Sequence, residues 1–141
     1  MKKLIIEIPL TVWHRCNFQI KEEDINESDH MGNERILHHA NLVRYNFFES
    51  LNLLPPDEEH GFIIVNHSIV YKSEGFLGDT VVCEAGVTNP TECSFDLIFH
   101  FIKSSAQKTL AVVRSGLVYF DYQNRKIRHL PDKYLSLFPT P

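Results

Sequence analysis

The sequence has no apolar run approaching the roughly 18 residues a helix needs to cross a bilayer. At its start, Met1-Lys2-Lys3 is followed by only Leu4, Ile5 and Ile6 before Glu7 and Pro9 interrupt them, too short a stretch for the core of a secretory signal. A cytoplasmic protein without membrane contact is expected. Cysteine is scarce: Cys16, Cys83 and Cys93 are an odd number at wide spacing, which argues against a disulfide framework or a Cys-x-x-Cys knuckle and predicts buried, reduced thiols. A basic excess is missing too. With 14 Lys and Arg against 18 Asp and Glu, the net charge is -4, so neutralising nucleic-acid phosphates is not the main work of this chain. Its histidines show no His-x-His or His-Glu-x-x-His spacing, and neither a metal nor any other cofactor is implied. With 6 Gly and 7 Pro and no repeat or biased tract, a fibrous or low-complexity chain is also excluded.

What is present is a hydrophobic content of 43% over 141 residues, enough for a single domain, residues 1–141, that buries roughly 68% of its unfolded surface. In residues 10–20, Leu10, Val12, His14, Cys16, Phe18 and Ile20 alternate with Thr11, Trp13, Arg15, Asn17 and Gln19, the period of a half-buried strand. Residues 21–32 are polar and acidic and read as a surface loop, a usual seat of function. Residues 33–54 hold no Gly or Pro, and Ile36, Ala40, Val43, Phe47 and Leu51 recur at the spacing of one helical stripe. Such a helix is about 30 Å long, the span of a small domain, and Pro55-Pro56 ends it. Leu42 and Tyr45 lie off the stripe and hint at a subunit contact. Beyond the acidic residues 57–59, the periods at 62–72, 79–87, 92–103 and 109–122 predict four more strands, joined by short turn-rich connections that suit antiparallel hairpins. In the tail, Pro131 ahead of Tyr134, Leu135 and Phe138 predicts a short closing helix. One long helix packed on a curved antiparallel sheet is an α+β architecture.

Chemistry concentrates at the loop and first helical turn, residues 24–35. A helix start presents unpaired N–H groups and the positive end of the dipole, which can hold a carbonyl oxygen or a developing oxyanion, and Gly32 would let a substrate approach closely. Composition alone has a simpler explanation: Ser28, Asp29 or Asn33 caps the helix and the carboxylates are solvated. The order of motifs along the chain adds to this. Asp24-Ile25-Asn26-Glu27-Ser28-Asp29-His30-Met31-Gly32-Asn33-Glu34-Arg35-Ile36-Leu37 follows, without a gap, a pattern written D-x-D-x-x-G-H-x-N-N-x-x-Y-L. Val70-Tyr71-Lys72 and Leu77-Gly78-Asp79-Thr80-Val81 follow it, then Val118-Tyr119-Phe120-Asp121-Tyr122 ahead of Leu130-Pro131. In this order, over about residues 10–138, the chain resembles the hotdog-fold acyl-CoA thioesterase superfamily, in its 4-hydroxybenzoyl-CoA thioesterase-like branch.

The resemblance implies a hotdog fold, one long central helix wrapped by a five-stranded antiparallel sheet. It also implies a homodimer or tetramer that holds an acyl-CoA or acyl carrier protein thioester between subunits. Asn33 takes the place of the family's oxyanion donor, and Asn26 that of the catalytic Asp. An amide cannot accept a proton at neutral pH, and losing a general base typically costs about 10²- to 10⁴-fold in rate. Three readings follow: Asn26 orients the water, Glu27 or Asp29 supplies the carboxylate, or the site binds acyl thioesters without turnover. In the other large thioesterase branch the base lies on the helix eight residues past the Asn33 position, where this chain has Asn41. His30 is either an acid/base group or a hydrogen-bonded part of the loop. Arg35, Tyr71 and Lys72 are candidate substrate contacts, with surface ion pairing the ordinary fate of Arg35. Lys72, Arg125, Lys126 and Arg128 could meet the phosphates of coenzyme A or an acidic carrier surface, or be merely solvated. Phe95, Leu97, Phe99 and Phe101 could line an acyl tunnel or simply fill a buried sheet face. The function expected is thioester hydrolysis; the alternative is a non-catalytic acyl-thioester binding or regulatory subunit.

Overall fold

A computed structural model describes residues 3–52 and 59–136. In chain order the elements are β1 (His14–Gln19), a 3-10 turn (Glu22–Asp24), α1 (Asn33–Ser50), β2 (His60–Tyr71), β3 (Thr80–Thr88), β4 (Ser94–Lys103), β5 (Lys108–Asp121), β6 (Lys126–Ile127) and α2 (Asp132–Leu135). The strands form one antiparallel sheet in the order β1-β3-β4-β5-β2, with the two-residue β6 added against β5. Among the described residues β6 is the one strand beyond the five expected. It exists because Asp121 accepts bonds from the Gln123 and Asn124 N–H groups and from Arg128, folding residues 121–128 into a tight hairpin.

Strand periodicity decides which side chains face the helix. Phe95, Leu97, Phe99 and Phe101 on β4, Val81, Cys83 and Ala85 on β3, and Ala111, Val113 and Leu117 on β5 are all within 1% of full burial. Against this face α1 lays Ile36, Ala40, Val43 and Phe47, the stripe read from the sequence. The β4 aromatics are therefore core. Leu42 and Tyr45 are exposed, at 49% and 59%. This wrapping of one long helix by an antiparallel sheet is the hotdog arrangement.

Two boundaries differ from expectation. β1 begins at His14, because residues 9–11 cross over β3 instead of pairing along it: a Cβ on Gly86 would lie 3.0 Å from the Thr11 carbonyl oxygen, and Trp13 donates to the Ala85 carbonyl. The helix ends at Ser50, with Leu51 as its C-cap; Pro55-Pro56 and Phe138 lie outside the described residues. In β2 the register shifts by one between Ile64 and Asn66. Such a bulge re-aims the residues that follow, so Phe62, Ile64 and Ile69 pack on the core while His67 meets Ser115 on β5.

Candidate active site at the amino end of the central helix

The loop ahead of α1 is a closed hairpin. Ile25 bridges Met31, the Asn26 N–H donates to the His30 carbonyl at 2.9 Å, and the Asn26 side-chain oxygen accepts the Ser28 N–H at 2.9 Å. Asp29 sits at φ 63, the left-handed conformation for which the family pattern has Gly; a short polar side chain tolerates it better than most. Glu27 and Asp29 are exposed on this hairpin.

Not every carboxylate here is solvated, contrary to the reading from composition. Asp24 is 2% exposed. Its carboxylate accepts the Lys21 N–H at 3.0 Å, Arg35 Nε at 2.9 Å and His39 Nε2 at 2.9 Å, and its carbonyl accepts the Gly32 N–H at 2.9 Å. Burial would raise the Asp24 pKa, but the Lys21, His39 and Arg35 bonds outweigh it and hold the group below its ordinary value. His39 lies stacked on Phe18, with ring centroids 3.8 Å apart, and burial keeps its pKa below 6.5 despite the carboxylate. Asp24 thus pins both ends of the hairpin to the helix.

The expected side-chain cap is absent. Gly32 is the N-cap residue, at φ -67 and ψ 147, and has no side chain to offer; Ser28, Asp29 and Asn33 make no cap bond. The space a Cβ would fill is taken by the Glu34 carboxylate, whose Oε1 lies 2.7 Å from that position. Gly32 therefore makes room for the helix's own second residue. Next to it opens a recess of about 160 Å³, whose lining includes His30, Gly32, Asn33, Ile36, Tyr71 and Gly75. Tyr71 Oη donates to the Asn33 carbonyl at 3.0 Å, and burial together with the Glu34 charge raises its pKa, so the phenol stays protonated. The Met31 N–H donates to the Gly75 carbonyl at 2.8 Å, tying the β2–β3 loop to the hairpin. His30 Nδ1 lies 3.1 Å from the Met31 carbonyl. A carbonyl only accepts, so in the neutral ring Nδ1 carries the hydrogen and Nε2 keeps its lone pair.

Of the residues singled out from the sequence, the fold brings His30, Gly32, Asn33 and Tyr71 together around this recess. Asn26, Glu27, Asp29 and Lys72 are not among its lining, and Arg35 turns toward Asp24, where it lines a separate cavity with Phe18, His39 and Leu42. Arg128 is held by Asp121 on the distant β5–β6 hairpin. Among the described residues no three His, Cys, Asp or Glu side chains are grouped to hold a metal, and no helix is long and apolar enough to cross a membrane. Glu34 and Asp24 were not found from the sequence as functional or anchoring groups. The signal for Asp24 was Arg35 and His39, one helical turn apart and so on one face of the helix.

The profile of the Thioesterase-like superfamily matches residues 20–138. The chain belongs to that superfamily. No curated protein matches it in sequence. Among solved structures this thioesterase-like protein is similar to Slr0204, a 1,4-dihydroxy-2-naphthoyl-CoA thioesterase from Synechocystis, with TM-score 0.81 at 15% identity over 87% of this chain and 93% of that one. It is similar to the gentisyl-coenzyme A thioesterase BH1999, with TM-score 0.79 at 19% identity over 89% of this chain and 100% of that one. It also matches the 12:0-ACP thioesterase from Umbellularia californica, with TM-score 0.79 at 14% identity over 88% of this chain and 48% of that one. At these identities the likeness establishes the shared fold.

Proposed function

We propose that this protein hydrolyses an acyl thioester at the amino end of α1. The observation that supports this most is the helix start itself: an N-cap without a side chain, opening onto a recess lined by His30, Asn33 and Tyr71. The thioester carbonyl oxygen accepts the Asn33 N–H, and the helix dipole stabilises the charge that develops there as water adds to the carbon. His30, with Nδ1 donating to the Met31 carbonyl, takes the proton of that water on Nε2. The tetrahedral intermediate then expels the thiolate, which takes the proton back from His30. Tyr71 fixes the Asn33 peptide through its carbonyl. Asn26 keeps the hairpin closed through Ser28, which leaves it a positioning part.

A recess of about 160 Å³ is below the usual range of small-molecule pockets. It accommodates the reacting group, and the rest of an acyl-CoA or acyl carrier protein thioester must lie outside it. A second copy of the chain, in a homodimer or tetramer, would supply the remaining wall, and the cytoplasm would be the place of action. Hydrolysis of a panel of acyl-CoA and acyl-pantetheine thioesters, followed by thiol release, tests the reading. Turnover of at least one substrate that falls by about 10²-fold or more in His30→Ala is the expected result. Absence of hydrolysis across the panel would count against it. The second reading, a binding subunit, is favoured by Asn26 in place of a carboxylate, and binding of an acyl-CoA without turnover would select it.

A further inference from the structure

The recess at the start of α1 has one acid in its lining, and it comes from neither the hairpin nor the helix. It is Glu74, on the β2–β3 loop. The groups that the sequence offered as a carboxylate for this site lie elsewhere: Asn26 stands where the pattern has Asp, and Glu27 and Asp29 are outside the lining. Glu34 is outside it too, with its carboxylate against Gly32. Glu74 shares the recess with His30, Asn33 and Tyr71, the groups that the proposed hydrolysis uses.

The backbone around Glu74 is tied down on both sides. The Ser73 N–H donates to the Leu110 carbonyl at 3.2 Å, and Ser73 Oγ donates to the Thr109 carbonyl at 2.8 Å. Lys103 Nζ donates to the Glu74 carbonyl at 2.7 Å, and the Gly75 carbonyl accepts the Met31 N–H at 2.8 Å. A Cβ on Gly75 would lie 2.6 Å from Cδ1 of the buried Ile20 and 3.5 Å from Met31 Cβ. Glycine thus lets the loop lie this close to the hairpin. The loop is stitched to β4, to β5 and to the hairpin, and these bonds hold Glu74 at the recess. Its side chain is exposed and makes no hydrogen bond or ion pair with any described residue. No partner has to be displaced before the carboxylate accepts a new donor.

We propose that Glu74 is a further catalytic residue, whose carboxylate holds the attacking water against His30. This rests on the reading of the helix start as the carbonyl site. A water molecule has two hydrogens. One points at His30 Nε2 and is the one transferred; the other donates to the Glu74 carboxylate, which only accepts. A lone pair then faces the thioester carbon, whose oxygen accepts the Asn33 N–H. On attack the new C–O bond forms, the first proton moves to His30, and the carbonyl electron pair goes to the oxygen. Collapse of the intermediate breaks the C–S bond, the thiolate takes the proton from His30, and the second hydrogen leaves on the carboxylic acid. Thioester and water give acid and thiol, and Glu74 ends as it began. Fixing the nucleophile in line is a separate contribution from accepting its proton. The carboxylate that the pattern places on the hairpin at position 26 is supplied here from the facing loop.

Glu74→Gln keeps the shape of the side chain and replaces one acceptor oxygen with a donor. On the panel of acyl-CoA and acyl-pantetheine thioesters it should lose about 10²-fold in kcat, with KM and melting temperature little changed. Glu49→Gln, which removes the same charge at the far end of α1, should leave both constants as they are. Because Glu74 and His30 hold one water, the double variant His30→Ala/Glu74→Gln should lose little more than the worse single variant. Added formate should restore part of kcat in Glu74→Ala, where the carboxylate's place is empty, and not in Glu74→Gln, where an amide fills it. This second variant decides the matter if Glu74→Gln does not fold. Turnover by Glu74→Gln within about twofold of wild type, or single losses that multiply in the double variant, overturns the proposal and leaves hydrolysis at the helix start intact. A loss confined to KM, or one that formate does not restore in Glu74→Ala, places Glu74 in binding or in the loop's structure and overturns it as well. If the wild-type protein turns over nothing on the panel, the hydrolase reading itself fails, and the role of Glu74 with it.

Discussion

Replacing Asp24 removes the acceptor that holds the hairpin to the helix. In Asp24→Ala the Lys21 N–H, Arg35 Nε and His39 Nε2 all lose their partner at a position 2% exposed. Breaking a buried pair from one side costs about 3–5 kcal/mol. The Arg35 side chain is 23% exposed and regains water, which places the loss near the lower end, about 3 kcal/mol. For a chain of this size that is a fall in melting temperature of about 10 °C. Asp24→Asn keeps one carbonyl oxygen and loses the charge, so its cost is about 1–2 kcal/mol. Urea denaturation at pH 7, followed by circular dichroism, gives both values. Because the folded-state pKa of Asp24 is depressed, its contribution is complete above the ordinary value of 3.8 and is lost as the pH falls through the folded value. The gap between wild type and Asp24→Asn therefore closes in acid. Two variants within about 0.5 kcal/mol of wild type, the range of a surface substitution, would refute the anchoring role.

The central helix depends on Phe47, 1% exposed beneath it; Phe47→Ala should cost about 3–5 kcal/mol in the same denaturation experiment. His14, His39, His67 and His100 all have pKa values lowered from 6.5, first by burial. The unfolded chain thus takes up protons first, and stability should decline as the pH falls through 6.5 and level off below the folded values. A flat stability profile from neutral to mildly acidic pH would contradict this. Gly32→Ala places a methyl group against the free end of the Glu34 side chain, which can swing aside. The helix should survive at a cost below about 1 kcal/mol, and the thioester KM should change because the carboxylate beside the recess has moved.

The sequence conveyed the architecture wherever burial follows a period. Ile36, Ala40, Val43 and Phe47 announced the helix face, and Phe95 to Phe101 the sheet face, because a side that must be buried repeats with the element's own geometry. The start of β1 was not legible: alternation continues through Leu10 and Val12 although the chain there crosses Gly86. Nor was the cap, because the residue that fills it, Gly32, acts through the side chain it does not have. Asp24 was hidden in an acidic run, where no local pattern separates one buried carboxylate from its solvated neighbours.

The central claim is that the Asn33 N–H holds the thioester oxygen, and Asn33→Pro tests it most directly. Proline is favoured at the first position of a helix, and Gly32, at φ -67 and ψ 147, already has the extended conformation a residue before proline requires. The substitution therefore deletes the donor and leaves the helix in place, while Asn33→Ala controls for the side chain. The account predicts a fall in kcat of about 10²- to 10³-fold for the proline variant, with Asn33→Ala close to wild type and the melting temperature of both little changed. A folded Asn33→Pro protein that turns over thioesters at the wild-type rate would contradict it.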